Sequence, residues 1–288
     1  MSSFGKYTHA IVRGVPATVG QREREEHEKE EEEKQVSALD SAKLHRQLGV
    51  YTGILRQKLG LQVIELPASE EPGLPHSLCV EDIVVVQGDT ALITRPGDPS
   101  RRREVETVKN VLEELKLRVF EVTDEKAILD GSDVFFTGRE FFVGISKWTN
   151  HKGAEYVADA FKDFTVSIVH IPEPHHLKSF CSMGGPSTII IGNSEAARRA
   201  IKAMEQLTDY QYDKLSVPDD AAANCIYARI GNKSNTLVHR TADEFPESSK
   251  AFKKLPDYTL IPASCTEVAK LGASLSSCSI LINKKFEY

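Results

Sequence analysis

The amino-acid sequence predicts an α/β fold, a five-module pseudosymmetric α/β-propeller, and three observations carry that prediction. A strand, strand, helix, strand order recurs along the chain. The module starts near Asp82, Asp133, Phe180, Cys225 and Cys278 follow one another at intervals of 45 to 53 residues. A final strand near the C-terminus lacks its companions, and the N-terminal region contains them. Equivalent ends of such modules converge about an axis, and joining the last module to the first removes an exposed sheet edge. The 288 residues can bury a substantial core, and one domain over 1–288 is expected.

In the first module, DIVVVQGDTALITRP (82–96) places β-branched runs on both sides of a QGD turn. The helix follows in SRRREVETVKNVLEELKL, where Val105, Val108, Val111, Leu112 and Leu115 share a face, and LRVFEV supplies the closing strand. DVFFTGREFFVGI and YVADAFKDFTVSIVHI repeat the order, with SKWTNHKGAE leading into the helix. The third copy is SFCSMGGPSTIIIG, SEAARRAIKAMEQL with its stripe of Ala197, Ile201, Met204 and Leu207, and YDKLSV. The fourth is less regular: NCIYARI, NTLVHRT, FPESSKAFKKL with Pro246 at the helix start, and YTLIPA. For the fifth, CSILINKK is completed by THAIVRG, by a helix over 37–60 and by LQVIELP.

Composition narrows the class. Charged residues make up 27% and the hydrophobic set 40%, as in a globular chain, and the formal charge of −6 is no nucleic-acid footprint. No run of about 18 apolar residues reads as a membrane span. The start, MSSFGKYTHAIVRG, lacks the pattern of a secretion signal, so a cytoplasmic protein is expected. Five irregularly spaced cysteines point to reduced thiols rather than a disulfide scaffold. One segment departs from the repeat: QREREEHEKEEEEKQ (21–35) reads as a solvated acidic insertion or mobile lid, with a protein partner as its functional alternative.

The chemistry gathers at the module starts. Glu81 and Asp82 precede IVVV, and Asp130 and Asp133 bracket GS; such carboxylates suit a cation, above all a planar guanidinium, and equally suit turn caps and arginine pairs. His175 and His176 precede LKSF, where an imidazole can protonate a departing amine or activate a thiol or water. Cys278 and Ser277 open the last strand, and adjacent side chains there point to opposite faces, so strand register decides which one reaches a site. Of Arg101 to Arg103, one could hold a carboxylate or phosphate while the others stay solvated. His76 and Cys79 have a ligand-like separation, but no four-ligand framework or HExxH appears, so no metal is expected.

Together, THAIVRG, LGLQVIELP, VED, TALITRP, LDGSDVFFTGREFFVG, HLKSF, VPDD and LINKK make the chain resemble the dimethylarginine dimethylaminohydrolases across nearly its full length. GVP, QGDTALITRP, SKWTNHKGAE and SMGGP resemble the second vertebrate form of that family. The resemblance implies a pentein, the propeller of the guanidine-modifying superfamily. It also implies a place in arginine metabolism and nitric oxide regulation, and chemistry without a cofactor. In active members a cysteine attacks the guanidinium carbon, a histidine helps protonate the departing amine, and hydrolysis leaves citrulline. His176 matches that histidine, and Glu81, Asp82, Arg101 and Asp130 match substrate-binding positions. Aligning SILINKK with CCSVLINKK puts Ser277 at the nucleophile and Cys278 one residue on; Trp148 stands where an active form has arginine, and His76 where it has aspartate.

The resulting expectation is a family protein with weak or absent dimethylarginine hydrolysis and a guanidine or modified-arginine ligand. Ser277 is expected to face the site and Cys278 to be structural. The alternatives are an active hydrolase working through Cys278, which releases citrulline and dimethylamine, and a non-catalytic regulatory binding protein.

Overall fold

In the computed structural model, which describes residues 4–15, 39–68, 75–172, 174–231 and 234–284, five three-stranded sheets follow one rule. The first strand pairs antiparallel with the second, and the second pairs parallel with the third. In modules one to three a tight turn suffices for the first link, whereas the second link needs a crossover in every module, and a helix supplies it. The acidic segment 21–35 lies outside the described residues.

Module one is β3 (Val84–Gln87), β4 (Thr90–Ile93), α2 (Val105–Glu114) and β5 (Arg118–Glu121). Module two is β6 (Val134–Phe136), β7 (Phe141–Ile145), α3 (His151–Ala160) and β8 (Val166–His170). Module three is β9 (Cys181–Gly185), β10 (Thr188–Ile191), α4 (Glu195–Leu207) and β11 (Asp213–Ser216). Module four opens with the short helix α5 (Asp220–Ala223), then β12 (Ile226–Ile230), β13 (Ser234–Arg240), α6 (Pro246–Phe252) and β14 (Tyr258–Ala263). Module five joins β15 (Ile280–Ile282) to β1 (His9–Arg13), α1 (Ser41–Gly53) and β2 (Gln62–Leu66), and α7 (Thr266–Lys270) leads toward β15. The expected pairing of sequence-distant strands is therefore present: Ile11 lies opposite Ile280 and His9 opposite Ile282.

The crossover helices start where their sequences provide caps. Asp40, Asn150 and Ser194 accept the backbone N–H of Lys43, Gly153 and Ala197. Pro246 occupies the first turn of α6, where its missing N–H costs nothing. The helix expected over 37–60 is shorter, because it begins behind Asp40 and passes into a π-helical turn at Ile54–Lys58.

Middle strands are apolar on both faces because each serves two cores. Successive strand residues point to opposite sides. Thus Leu92 packs toward module two while Ala91 and Ile93 pack toward module five. Phe142 faces module three while Phe141 and Val143 face module one. Ile190 faces module four while Ile189 and Ile191 face module two. The same division separates Leu237 from Val238, and Ile11 from Ala10 and Val12. Five apolar clusters therefore fill the five seams between neighbouring modules, which explains near-continuous runs such as TALI and FFVGI. Among the described residues no helix is long and apolar enough to cross a membrane.

Candidate active site

A short turn precedes each first strand, and these turns gather at one end of the axis. They are Val80–Ile83, Gly131–Asp133, Leu177–Ser179, α5 and Ser276–Cys278. Contacts run from Ser276–Cys278 through Val80–Ile83, Gly131–Asp133 and Leu177–Ser179 to α5. Asn224, following α5, closes the circle: its Nδ2 donates to Ser276 Oγ at 2.9 Å and its Oδ1 accepts from Ser276 N at 2.8 Å. Neighbouring turns touch so closely that a Cβ on Gly131 would lie 1.9 Å from the carbonyl oxygen of Glu81. Glycine is required there for close approach.

All five first strands line an axial cavity of about 220 Å³. At its head Lys178 Nζ donates to Glu81 Oε1 at 2.5 Å, and Ser276 Oγ donates to Glu81 Oε2 at 2.9 Å. Glu81 is thereby held within the ring.

Asp82, Asp130 and His176 come together beside it, with ligand-capable atoms all within 4.8 Å of one another. Asp82 Oδ1 accepts Ser132 N at 3.2 Å and its Oδ2 accepts Arg101 Nη1 at 2.6 Å. Asp130 Oδ1 accepts Gly97 N at 2.9 Å, while its Oδ2 lies 3.0 Å from His176 Nε2. Asp133 caps the next turn, accepting Leu177 N and Ser146 Oγ. Trp148 stacks on His176 with ring centroids 5.9 Å apart and planes 14° from parallel. Lys147 Nζ lies 4.2 Å from the centre of the same indole.

These contacts decide the charges. Burial disfavours the His176 imidazolium, but the hydrogen bond to Asp130 and the charges of Asp82, Asp133 and Asp130 overcome it and raise its pKa to about 9. Burial would push Asp82 up, yet Arg101 and His176 hold it below the usual carboxylate range. Burial raises Asp130 despite its contact with His176, and raises Asp133 to about 6. Near neutral pH His176 therefore carries its proton. The Asp82, Asp130 and His176 set has the spacing of a cation site, and a metal bound there would have to displace the His176 proton.

Ser277 and Cys278 part company. Ser277 Oγ accepts Ser274 N at 3.1 Å and lies 2.8 Å from Ser274 Oγ, and no hydrogen bond joins it to His176 among the described residues. Cys278 packs into the seam between modules four and five, in a cluster with Tyr51, Cys265 and Leu275, where burial pushes its thiol well above the ordinary range. The other four cysteines are likewise buried and free.

Of the remaining residues singled out in the sequence, His76 lies exposed in the turn Pro75–Leu78, and His175 is exposed with its ring edge-on to Phe180. Arg101 is buried rather than open: besides Asp82 it meets Glu104 through Nε and Nη2 and the carbonyl of Cys79 through Nη2. Arg103 is exposed, and Arg102 donates to Pro96 O. The sequence reading did not single out Glu104, Lys178 or Gly97. For Glu104 the available signal was its position three residues after Arg101 on a helical stretch, where opposite charges meet.

No protein-family model matches the chain. The human protein named "Putative hydrolase DDAH2" is 49% identical over 284 residues, covering 98% of this chain and 96% of its own length, and the bovine protein of the same name matches equally. The chain belongs to the dimethylarginine dimethylaminohydrolase family. Within the family it stands with the second vertebrate form. A member from Pseudomonas aeruginosa, named N(G),N(G)-dimethylarginine dimethylaminohydrolase, is 26% identical over 243 residues, covering 84% of this chain and 89% of its own. A solved structure of the Pseudomonas aeruginosa protein, a cysteine-to-serine mutant complexed with citrulline, superposes with a TM-score of 0.77 at 21% identity, over 96% of this chain and all of that one. The N-terminal domain of ArgZ, a cyanobacterial arginine dihydrolase, shares the fold with a TM-score of 0.74 at 13% identity, over 96% and 98% of the two chains. The five-module propeller expected from the repeats, and the pentein that the family resemblance implies, are the fold of this chain.

Proposed function

We propose that this protein is a guanidine-group hydrolase of the family whose site holds a guanidinium or amidinium cation but hydrolyses dimethylarginine weakly or not at all. The carrying observation is the divergence of Ser277 and Cys278 next to an intact acid and histidine cluster. Asp82 and Asp130 offer carboxylate oxygens to a planar cation, and His176, protonated near neutral pH, can give a proton to a departing amine. The missing step is attack. Ser277 needs a base to become a nucleophile, while His176 holds a proton and makes no hydrogen bond to it. Cys278 is a thiol but sits in an apolar seam with its ionisation suppressed.

The citrulline complex of the bacterial cysteine-to-serine mutant supports the separation of binding from attack, since that serine-bearing relative holds a ligand whose uncharged ureido group has the planar shape of a guanidinium. Five free, buried cysteines support a reducing compartment, hence the cytoplasm. Incubation of purified protein with dimethylarginine, followed by assay of citrulline and dimethylamine, tests the reading. The expected result is little or no product. Robust turnover that disappears in both His176→Ala and Cys278→Ser would overturn it.

A further inference from the structure

The axial cavity of about 220 Å³ is distinct from the acid and histidine cluster: Asp82, Asp130 and His176 do not line it, and Glu81 paired with Lys178 stands at its head. Its other end is built by the N-terminal segment. Phe4 stacks on Tyr227 of module four with ring centroids 5.8 Å apart, and meets Phe136 of module two edge-on at 6.2 Å. Gly5 O accepts Arg229 N at 2.7 Å. A Cβ on Gly5, whose φ is +77°, would lie 2.5 Å from the Tyr227 ring, and one on Gly138 would lie 2.8 Å from the Phe4 ring. Residues 4–7 thus reach from module five across to modules two and four, and all four line the cavity.

This end carries donors that the protein leaves unengaged. Lys6, Tyr7 and Gln87 line the cavity, and no hydrogen bond or ion pair of their side chains is present among the described residues. Toward the head, by contrast, Lys178, Ser182, Asn224 and Ser276 all direct their polar atoms to protein partners. Burial, then Tyr227 and the charge of Glu81, push the Tyr7 phenol up to about 12, so it keeps its proton at neutral pH. Two further cations meet the segment: Arg229 at Gly5, and Lys284, whose N–H donates to Thr8 Oγ1 at 2.9 Å. Between the ends the walls are apolar, with Val84, Val86, Met183, Ile226 and Ile280.

We propose that the axial cavity is a binding site for a small monocarboxylate with an apolar body, held by Lys6 and Tyr7. An ammonium and a phenol hydroxyl give a carboxylate charge-assisted hydrogen bonds, while the apolar walls take the hydrocarbon. A cavity of about 150 Å³ accommodates benzene, so benzoate suits the volume here. The site stands apart from the guanidinium reading and does not depend on it.

Methionine-methyl NMR supplies the test, because the chain has three methionines, of which Met183 lines the cavity and Met204 is buried on α4. Full-length protein is titrated at neutral pH with benzoate, and separately with uncharged benzyl alcohol. Benzoate is expected to shift Met183 saturably, to leave Met204 in place, and to bind about tenfold more tightly than benzyl alcohol. Lys6→Gln is expected to abolish that advantage while leaving benzyl alcohol unchanged, and Tyr7→Phe to weaken benzoate severalfold. Equal affinity of wild type for the two probes overturns the inference without any variant. Unchanged benzoate affinity in Lys6→Gln overturns it as well. So does benzoate that leaves Met183 unmoved, whether or not it shifts the His176 ring.

Discussion

His176 Nε2 and Asp130 Oδ2 stand 3.0 Å apart, and this contact makes His176 a cation at neutral pH. The NMR titration of its ring should therefore centre near pH 9. Asp130→Asn removes the main favourable partner and should bring the midpoint down toward the ordinary histidine range, with Asp82 and Asp133 still holding part of the rise.

A protonated His176 also opposes a cationic ligand. Binding of guanidinium must lower the pKa of His176, so ligand uptake releases a proton and affinity should rise as pH climbs from 7 toward about 9. Below about pH 6, protonation of Asp133 removes a nearby negative charge and should weaken binding further. Calorimetry at several pH values, in buffers of different ionisation enthalpy, counts the released protons directly.

The same residues shape folding stability. His176 is raised in the folded state, so it binds a proton more tightly there than in the unfolded chain. Its contribution is whole below the unfolded value of about 6.5 and is lost as pH rises through about 9. Asp133, also raised, adds a loss of the same sign between its unfolded value near 4 and about 6. Urea midpoints from pH 6.5 to 9.5 should fall, and His176→Gln should flatten that slope.

Arg101→Met should be severely destabilising. It leaves Asp82 and Glu104, both buried, without their shared counter-ion, and breaking a buried pair in this way costs roughly 3 to 5 kcal/mol. Urea unfolding should show a lower midpoint at an unchanged slope. Arg101→Lys, which retains charge without the fork, should recover only part of the loss.

Gly131→Ala tests how tightly the ring is built. The added methyl would sit 1.9 Å from Glu81 O, so one of the two turns must move. The expected cost is roughly 3 kcal/mol, read from the same urea experiment, together with a shift in the His176 titration as Asp130 and Asp82 separate.

Much of the fold was legible because propeller strands leave a strong signal. VVV, TALI and FFVGI are apolar on both faces since each side packs into a different seam, and that pattern survives without a family resemblance. Helix limits were less visible. The helix expected over 37–60 starts only at Ser41 and yields to a π-helical turn, because the cap at Asp40 and the packing of Ile54 and Leu55 override the longer apolar pattern. Short α5 and α7 carry too few residues to show a period. In the site, Asp82, Asp130 and His176 could be named from their places before each first strand. Glu104 had only its spacing from Arg101 to mark it, in a run of four charges of which folding buries two.

The union of β1 with β15 has a consequence for the order of synthesis. β1 is translated before every other described strand and β15 after all of them, yet they lie side by side in one sheet. On the ribosome the N-terminal strand must wait, with one edge unpaired, while four complete modules are made. The seams on either side of module five are therefore the last to be sealed, and the ring of turns holding Glu81 and Asp82 against Ser276–Cys278 is a late product of translation. Quality control that samples the chain before β15 has emerged would meet this protein as an open fan rather than a closed ring.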